Sequence, residues 1–261
     1  MSLPPEPALA ASLAAHRFGL GEPSLAAAGD DARGWLLAQI GPAEPQRGPG
    51  LADSAEAARR HAAFLRETRR ARQAAPPATV DAPMADGRSG EQVFAAQFRD
   101  IVEADVRARL VTAATSARPF AERLALFWAN HFTVSMAKAS ARGLVGAFER
   151  EAIRPQLAGR FEALLTAAVT HPAMLRYLDN DRSAGPDSAL AQRLARRAAR
   201  EGGTPRVSGL NENLAREILE LHTLGAGGGY TQADVGAFAA VLTGWRVALD
   251  DAAPAARFDP A

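Results

Sequence analysis

The sequence predicts an all-α protein, an irregular multi-helix array without a substantial sheet. Three observations carry that expectation. Alanine supplies 61 of the 261 residues and arginine 29 of the 30 basic ones, Lys138 being the single lysine, and both favoured residues are good helix formers. No stretch alternates with the two-residue period of a half-buried strand. Glycines and prolines instead cut the chain into segments of helical length.

Taken in order, residues 8–17 and 31–40 read as two short helices separated by GLGEP, and GPAEPQRGPG at 41–50 reads as a loop. A helix from about 54 to 74 follows and carries Arg59, Arg60, Arg66, Arg69, Arg70 and Arg72. Only Phe64 and Leu65 offer it large apolar contacts, so its basic side reads as a solvated face. The Pro/Ala-rich stretch 75–90 reads as a linker. One long helix is then expected from 91 to 115, and Pro119 suits the first turn of the next.

Further helices fit 141–152, 160–170, 172–179, 187–200, 209–224 and 232–243, with Pro172 again at a first position. Thr231 with Asp234 three residues on forms an N-terminal cap, and Gly225 is placed to end the preceding helix. GAGGG at 225–229 follows a helix and lacks a Gly-Lys-Ser/Thr, so it connects helices instead of cradling phosphate. The Ala/Arg-biased stretch 187–203 reads as a surface insertion. At most, 245–258 supplies a strand. The domain expectation is therefore N-terminal helices and linker over 1–90, a main helical core over 91–245, and a tail over 246–261.

Thirty basic against 29 acidic residues leave a formal charge of +1, which argues against a chain built to neutralise nucleic acid phosphates. The absence of cysteine removes disulfides and thiolate chemistry. MSLPPEPALAASLAAHRFGLG has no basic n-region, which is not the pattern of a signal peptide. No run approaches the ~18 apolar residues of a membrane span. By default such a chain is cytoplasmic.

Two segments hold candidate chemistry. In FAERLALFWANHF, 120–132, a helical wheel puts Phe120, Leu124, Phe127, Trp128 and His131 on one apolar face, with Asn130 on a flank. A histidine there is either a hydrogen-bonded core residue or a ligand or general acid facing a cleft. In GLNENLAREILELHTLG, 209–225, Leu210, Leu214, Ile218 and Leu221 form the stripe expected to be buried. Asn213, Glu217 and Glu220 line one of its edges, and His222 falls on the opposite edge.

Arg216 can pair with Glu212 or Glu220 one turn away. Glu217 lies closest to the apolar stripe, where an acid must be paired, metal-bound or protonated. The site candidates are thus His131, Glu217, Glu220, Asn130 and Asn213 for catalysis, and His131, Glu217 and His222 for a metal. No cofactor is indicated. Asp179 and Asn180 either join a polar cluster or end a helix.

Seven blocks together resemble one bacterial family, known as domain of unknown function 1800. They are HRFGLG (16–21), RGWLLAQI (33–40), ERLALFWANHF (122–132), AFEREAIRP (147–155), HPAMLRYLDN (171–180), GLNENLAREILELHTLG (209–225), and GYTQADV with LTGW (229–245). The resemblance implies no settled activity. It implies relatives that are commonly exported, whose genes often lie beside those of sulfatase-like proteins. It also implies relatives that continue into a further helical half, so that this sequence looks like an N-terminal portion. Where relatives often carry an acid in the glycine-rich loop, Gly227 stands here, which speaks against a calcium loop.

Two functions follow as expectations. One is a scaffold or accessory partner of a sulfatase-like envelope protein. The other is a hydrolase-like enzyme, metal-dependent or not, with an interior His/Glu/Asn site.

Overall fold

The structure is a computed structural model that describes residues 7–22, 28–74, 90–185, 188–201, 209–249 and 256–258. The stretch read as a linker lies almost wholly outside the described residues. The fold is all-α: twelve α-helices and one two-stranded ribbon among the described residues. No helix there is long and apolar enough to cross a membrane.

The N-terminal part comprises α1 (Pro7–Phe18), α2 (Ala32–Leu37) and α3 (Ser54–Ala74). Asp31 caps α2 by accepting from the Gly34 amide. α1 rests on α6 (Pro119–His131) through an edge-on Phe18–Phe120 contact at 5.6 Å. The apolar side of α3 is made of Ala57, Ala58, Ala62 and His61, all buried, while Arg59 and Arg60 pair with Glu56 on the outside.

The long helix expected over 91–115 is two helices, α4 (Gly90–Ala96) and α5 (Arg99–Thr115). The break at Gln97–Phe98 buries Phe98 completely, and its ring packs at a tilt on His61 at 4.5 Å. Local propensity favours continuity here; burial of one large ring outweighs it.

α7 (Val145–Phe148), α8 (Phe161–Thr170), α9 (Pro172–Tyr177), α11 (Asn213–Glu217) and α12 (Gln232–Leu242) surround the main core. Phe132, Leu144, Ile153, Met174, Leu175, Leu214 and Val235 fill it. Thr231 and Asp234 close a full capping box on α12, and Gly225 adopts the left-handed φ of +85° that ends a helix. α10 (Ala189–Glu201) occupies the stretch expected to be an insertion. β1 (Trp245–Val247) pairs antiparallel with β2 (Ala256–Phe258), within the one region where a strand was expected.

Two segments widen into single π turns, Glu149–Ile153 after α7 and Ile218–Thr223 after α11. The first turn helps build the most deeply buried charges among the described residues. Arg154 and Glu122 are each 2% exposed and form an ion pair at 2.5 Å. Arg154 also meets Glu149 at 3.2 Å and donates to the Glu44 carbonyl, while the Ala43 amide donates to the Arg154 carbonyl. Glu149 accepts from Gln46 at 2.8 Å and pairs with Arg109 on its other oxygen. Arg150 binds Asp105 at 2.7 Å and the Ala52 carbonyl at 2.6 Å. Glu151 accepts from the Ser54 amide and from His171. Loop 43–53, which lacks regular structure, and the first residue of α3 are therefore held to the core from one short segment.

Burial pushes the carboxyls of Glu149 and Asp105 above the usual carboxylate range even though Arg109 and Arg154, and Arg150, oppose it. The pairing thus fixes geometry more than it adds stability. Replacing Arg154 by Met strands the buried Glu122 carboxylate, leaves Glu149 with only Arg109 and Gln46, and is expected to cost on the order of 3–5 kcal/mol, read by urea denaturation. Adding Glu122→Leu to that variant should recover part of the loss. A single variant as stable as the parent would contradict this account of the network.

Candidate functional site

The wheel reading of α6 centred the buried face on its bulky residues, and the structure corrects it. The helix packs through Ala121, Ala125, Trp128 and Phe132, spaced i, i+4, i+7 and i+11. Leu124 is half-buried and Phe127 is 56% exposed. Alanines on the inner side let α6 approach closely enough for Glu122 to reach Arg154.

The second correction comes from the π turn at Ile218–Thr223. Its extra residue moves the inward position from Leu221 to His222. Leu221 is 61% exposed, whereas His222, read onto the far edge of a straight helix, is 2% exposed beneath Ile218. The widened turn is closed by the Thr223 hydroxyl donating to the Ile218 carbonyl at 2.6 Å. Such turns recur at functional sites because they re-aim side chains without ending a helix.

His131 ends α6, half-buried, and its Nε2 donates to the His222 carbonyl at 3.1 Å. Trp128 meets its ring edge-on at 5.3 Å and Phe132 at 4.7 Å. The His131 and His222 rings lie 5.9 Å apart. His222 packs on Phe132, and its Nδ1 is buried without a hydrogen-bond partner among the described residues. Burial, with His131 alongside, pushes the His222 imidazole down to about 4.

Glu217 is half-buried at the end of α11. No cation or hydrogen-bond donor meets its carboxylate among the described residues. Burial raises its pKa and the Glu220 charge raises it further. Glu220 is engaged by Arg216 at 3.0 Å, and Arg216 also holds Glu212 and Gln232.

Asn130 and Asn213 are exposed; the Asn213 amide donates to the side chain of Asn211. The structure thus brings the candidates together as two pairs, His131 with His222 and Glu217 with Glu220, and leaves both amides in solvent. Among the described residues no three His, Asp or Glu side chains are placed to share a metal ion.

Sequence reasoning missed one polar assembly and left a second as an open alternative. One is the Arg154 network, whose signal was the crowding of four charges into EREAIR and a lone Glu122 in an apolar turn. The other is a clasp at the end of α9. Asp179 takes a left-handed φ of +56° and pairs with Lys138, and Asn180 donates to the Leu242 and Trp245 carbonyls at 3.1 and 3.3 Å. Asn211 donates to the Leu178 and Asp179 carbonyls, and its own amide donates to Ser183. Ser183 in turn meets Thr243. Asp179 and Asn180 therefore both end the helix and join a cluster.

An all-α body whose buried charges tie its loops together defines a class of helical protein, and comparison with known families places it. The family model described as "Protein of unknown function (DUF1800)" matches residues 13–261, and the chain belongs to that family. Searches of curated proteins and of solved structures each returned no match.

Two predictions follow from the site. Since Glu217 has no cation to strand, Glu217→Gln should leave the melting temperature unchanged or slightly raised; a large drop would reveal a buried partner. His61 and His222 are both held down to about 4 against 6.5 in the unfolded chain. Each is neutral in the folded protein, so unfolding takes up protons below 6.5, and stability falls between pH 6.5 and 4. The slope approaches roughly 1.4 kcal/mol per pH unit for each group. Denaturation of His222→Gln across this window should show a flatter profile than the parent; identical profiles would refute the assignment.

Proposed function

We propose that the chain is a helical scaffold that acts as an accessory partner of a sulfatase-like envelope protein. One observation carries the reading: buried charges are engaged internally while bulky apolar side chains stand outside. Arg154, Glu122, Glu149 and Arg176 all hold other parts of the chain. Phe127, Phe161, Leu221 and Leu224 are exposed and border one junction. Phe127 and Phe161 touch Trp128, and the two leucines bracket His222. Large apolar side chains gathered in this way favour a surface that a partner covers. The partner's identity rests on the resemblance, which implies genes beside those of sulfatase-like proteins.

A second reading, a hydrolase-like enzyme with His131 as general acid or ligand and Glu217 as general base or ligand, is favoured by one fact. Glu217 is a half-buried carboxylate with a raised pKa and no cation, which suits a base better than a strut.

The experiment is size-exclusion chromatography of this protein mixed with a purified sulfatase-like protein of the kind whose genes the resemblance places beside those of relatives. The scaffold reading expects a co-eluting complex, lost in a Phe127→Asp, Leu221→Asp double variant that melts normally. Separate elution, or a complex indifferent to the variant, counts against it. Elemental analysis of the purified full-length protein tests the second reading: stoichiometric metal that disappears in Glu217→Gln and His131→Ala would support it.

A further inference from the structure

We infer that the cleft between α4, α5 and the loop 136–142 binds a small organic molecule that carries a single oxyanion on an apolar body. The cleft measures about 680 Å³ and is bounded by α4 and the start of α5 on one side and by Met136, Ala137 and Arg142 on the other. That is the volume range of small-molecule sites, which are mostly apolar with a few placed polar groups. Ala96, Val102 and Met136 give it apolar walls, and Arg99, Glu103 and Arg142 are its charged lining.

Several arginines elsewhere in the fold are committed to carboxylates. Arg59, Arg60, Arg109, Arg150, Arg154 and Arg176 are each paired with a carboxylate. Arg99 and Arg142 meet no carboxylate among the described residues, although Glu103 stands one turn from Arg99 on the same helix. Arg142 is nonetheless fixed in place. Its Nε donates to the Met136 carbonyl at 3.2 Å, and its own carbonyl accepts from His61 Nε2 at 2.9 Å. The Nε contact leaves the outer edge of the guanidinium, the two Nη groups, for an external acceptor. A planar fork held at its base and open at its tip is the form in which arginine binds carboxylate and sulfate.

Two arginines against one glutamate leave one net positive charge in the cleft. A monoanion is therefore matched, and the apolar walls require a body to cover them. A carboxylate and a sulfate ester share this chemistry. The inference is independent of the partner reading, since the cleft lies on α4 and α5 and the exposed Phe/Leu junction on α6, the start of α8 and the second π turn.

Isothermal calorimetry with hexanoate and with hexyl sulfate, against hexanol and inorganic sulfate as probes lacking one half of the chemistry, tests it. At least one organic anion should bind ten-fold or more tightly than both controls, and whichever anion is tighter identifies the headgroup. Arg99→Gln removes a side chain with no carboxylate partner among the described residues, and Ala96→Phe fills the cleft while keeping both guanidinium groups. Each should weaken the anion at least ten-fold with the melting temperature retained. Hexanol binding as tightly as the anions, no binding by either anion, or parent-like binding in both variants would overturn the proposal.

Discussion

Arg154 joins three parts of the chain that share no regular secondary structure with one another. Its guanidinium meets Glu122 on α6, Glu149 on the preceding π turn and the Glu44 carbonyl in an irregular loop, and its carbonyl receives the Ala43 amide. A buried ion pair rarely adds net stability, because desolvation of both charges offsets their attraction. It does penalise every arrangement in which one partner is missing. Loop 43–53 has little apolar surface to anchor it, so its position depends on this penalty. Gln46, Ala52 and Ser54 are all held by the same short segment.

The π turns make that concentration possible. In a regular helix Glu149, Arg150, Glu151 and Arg154 would spread around the cylinder, and fewer would face the interior together. Widening one turn lets Glu149 and Arg154 enter the core, while Arg150 and Glu151 hold Ala52 and Ser54 on its margin. The same device after α11 exchanges Leu221 for His222. Neither exchange follows from a 100° wheel, since the wheel assumes the regularity that these turns break.

This locates what was legible. Helix existence, the capping box at Thr231, the αL end at Gly225, the first-turn prolines and the place of the short ribbon all depend on local chemistry, and the structure agrees with them. The break between α4 and α5 depends on a pocket for Phe98 beside His61, which lies almost forty residues earlier. The inward face of α6 depends on Arg154 reaching Glu122. His131 and His222 are site candidates from the sequence; the structure joins them through a backbone carbonyl, where the sequence pointed to side chains facing a common site. A residue list cannot distinguish those two arrangements, because only the path of the backbone separates them.

Alanine explains why polar contacts carry so much of the specification. Most buried hydrophobic side chains among the described residues are alanines. Each removes only one methyl from water, on the order of 0.8 kcal/mol, against about 1.5–3 kcal/mol for a leucine or phenylalanine. Small side chains also interlock weakly, so neighbouring helices can slide or rotate at little cost in packing. Directional contacts such as Asn180 to the Leu242 and Trp245 carbonyls then decide the register. The close approach that alanine allows has a second effect. On α6 it places alanines inside and leaves Phe127 outside, beside Trp128 and His131. The π turn after α11 reaches the same result by another route, turning Leu221 out and His222 in, so the exposed Phe/Leu junction forms where these two devices meet.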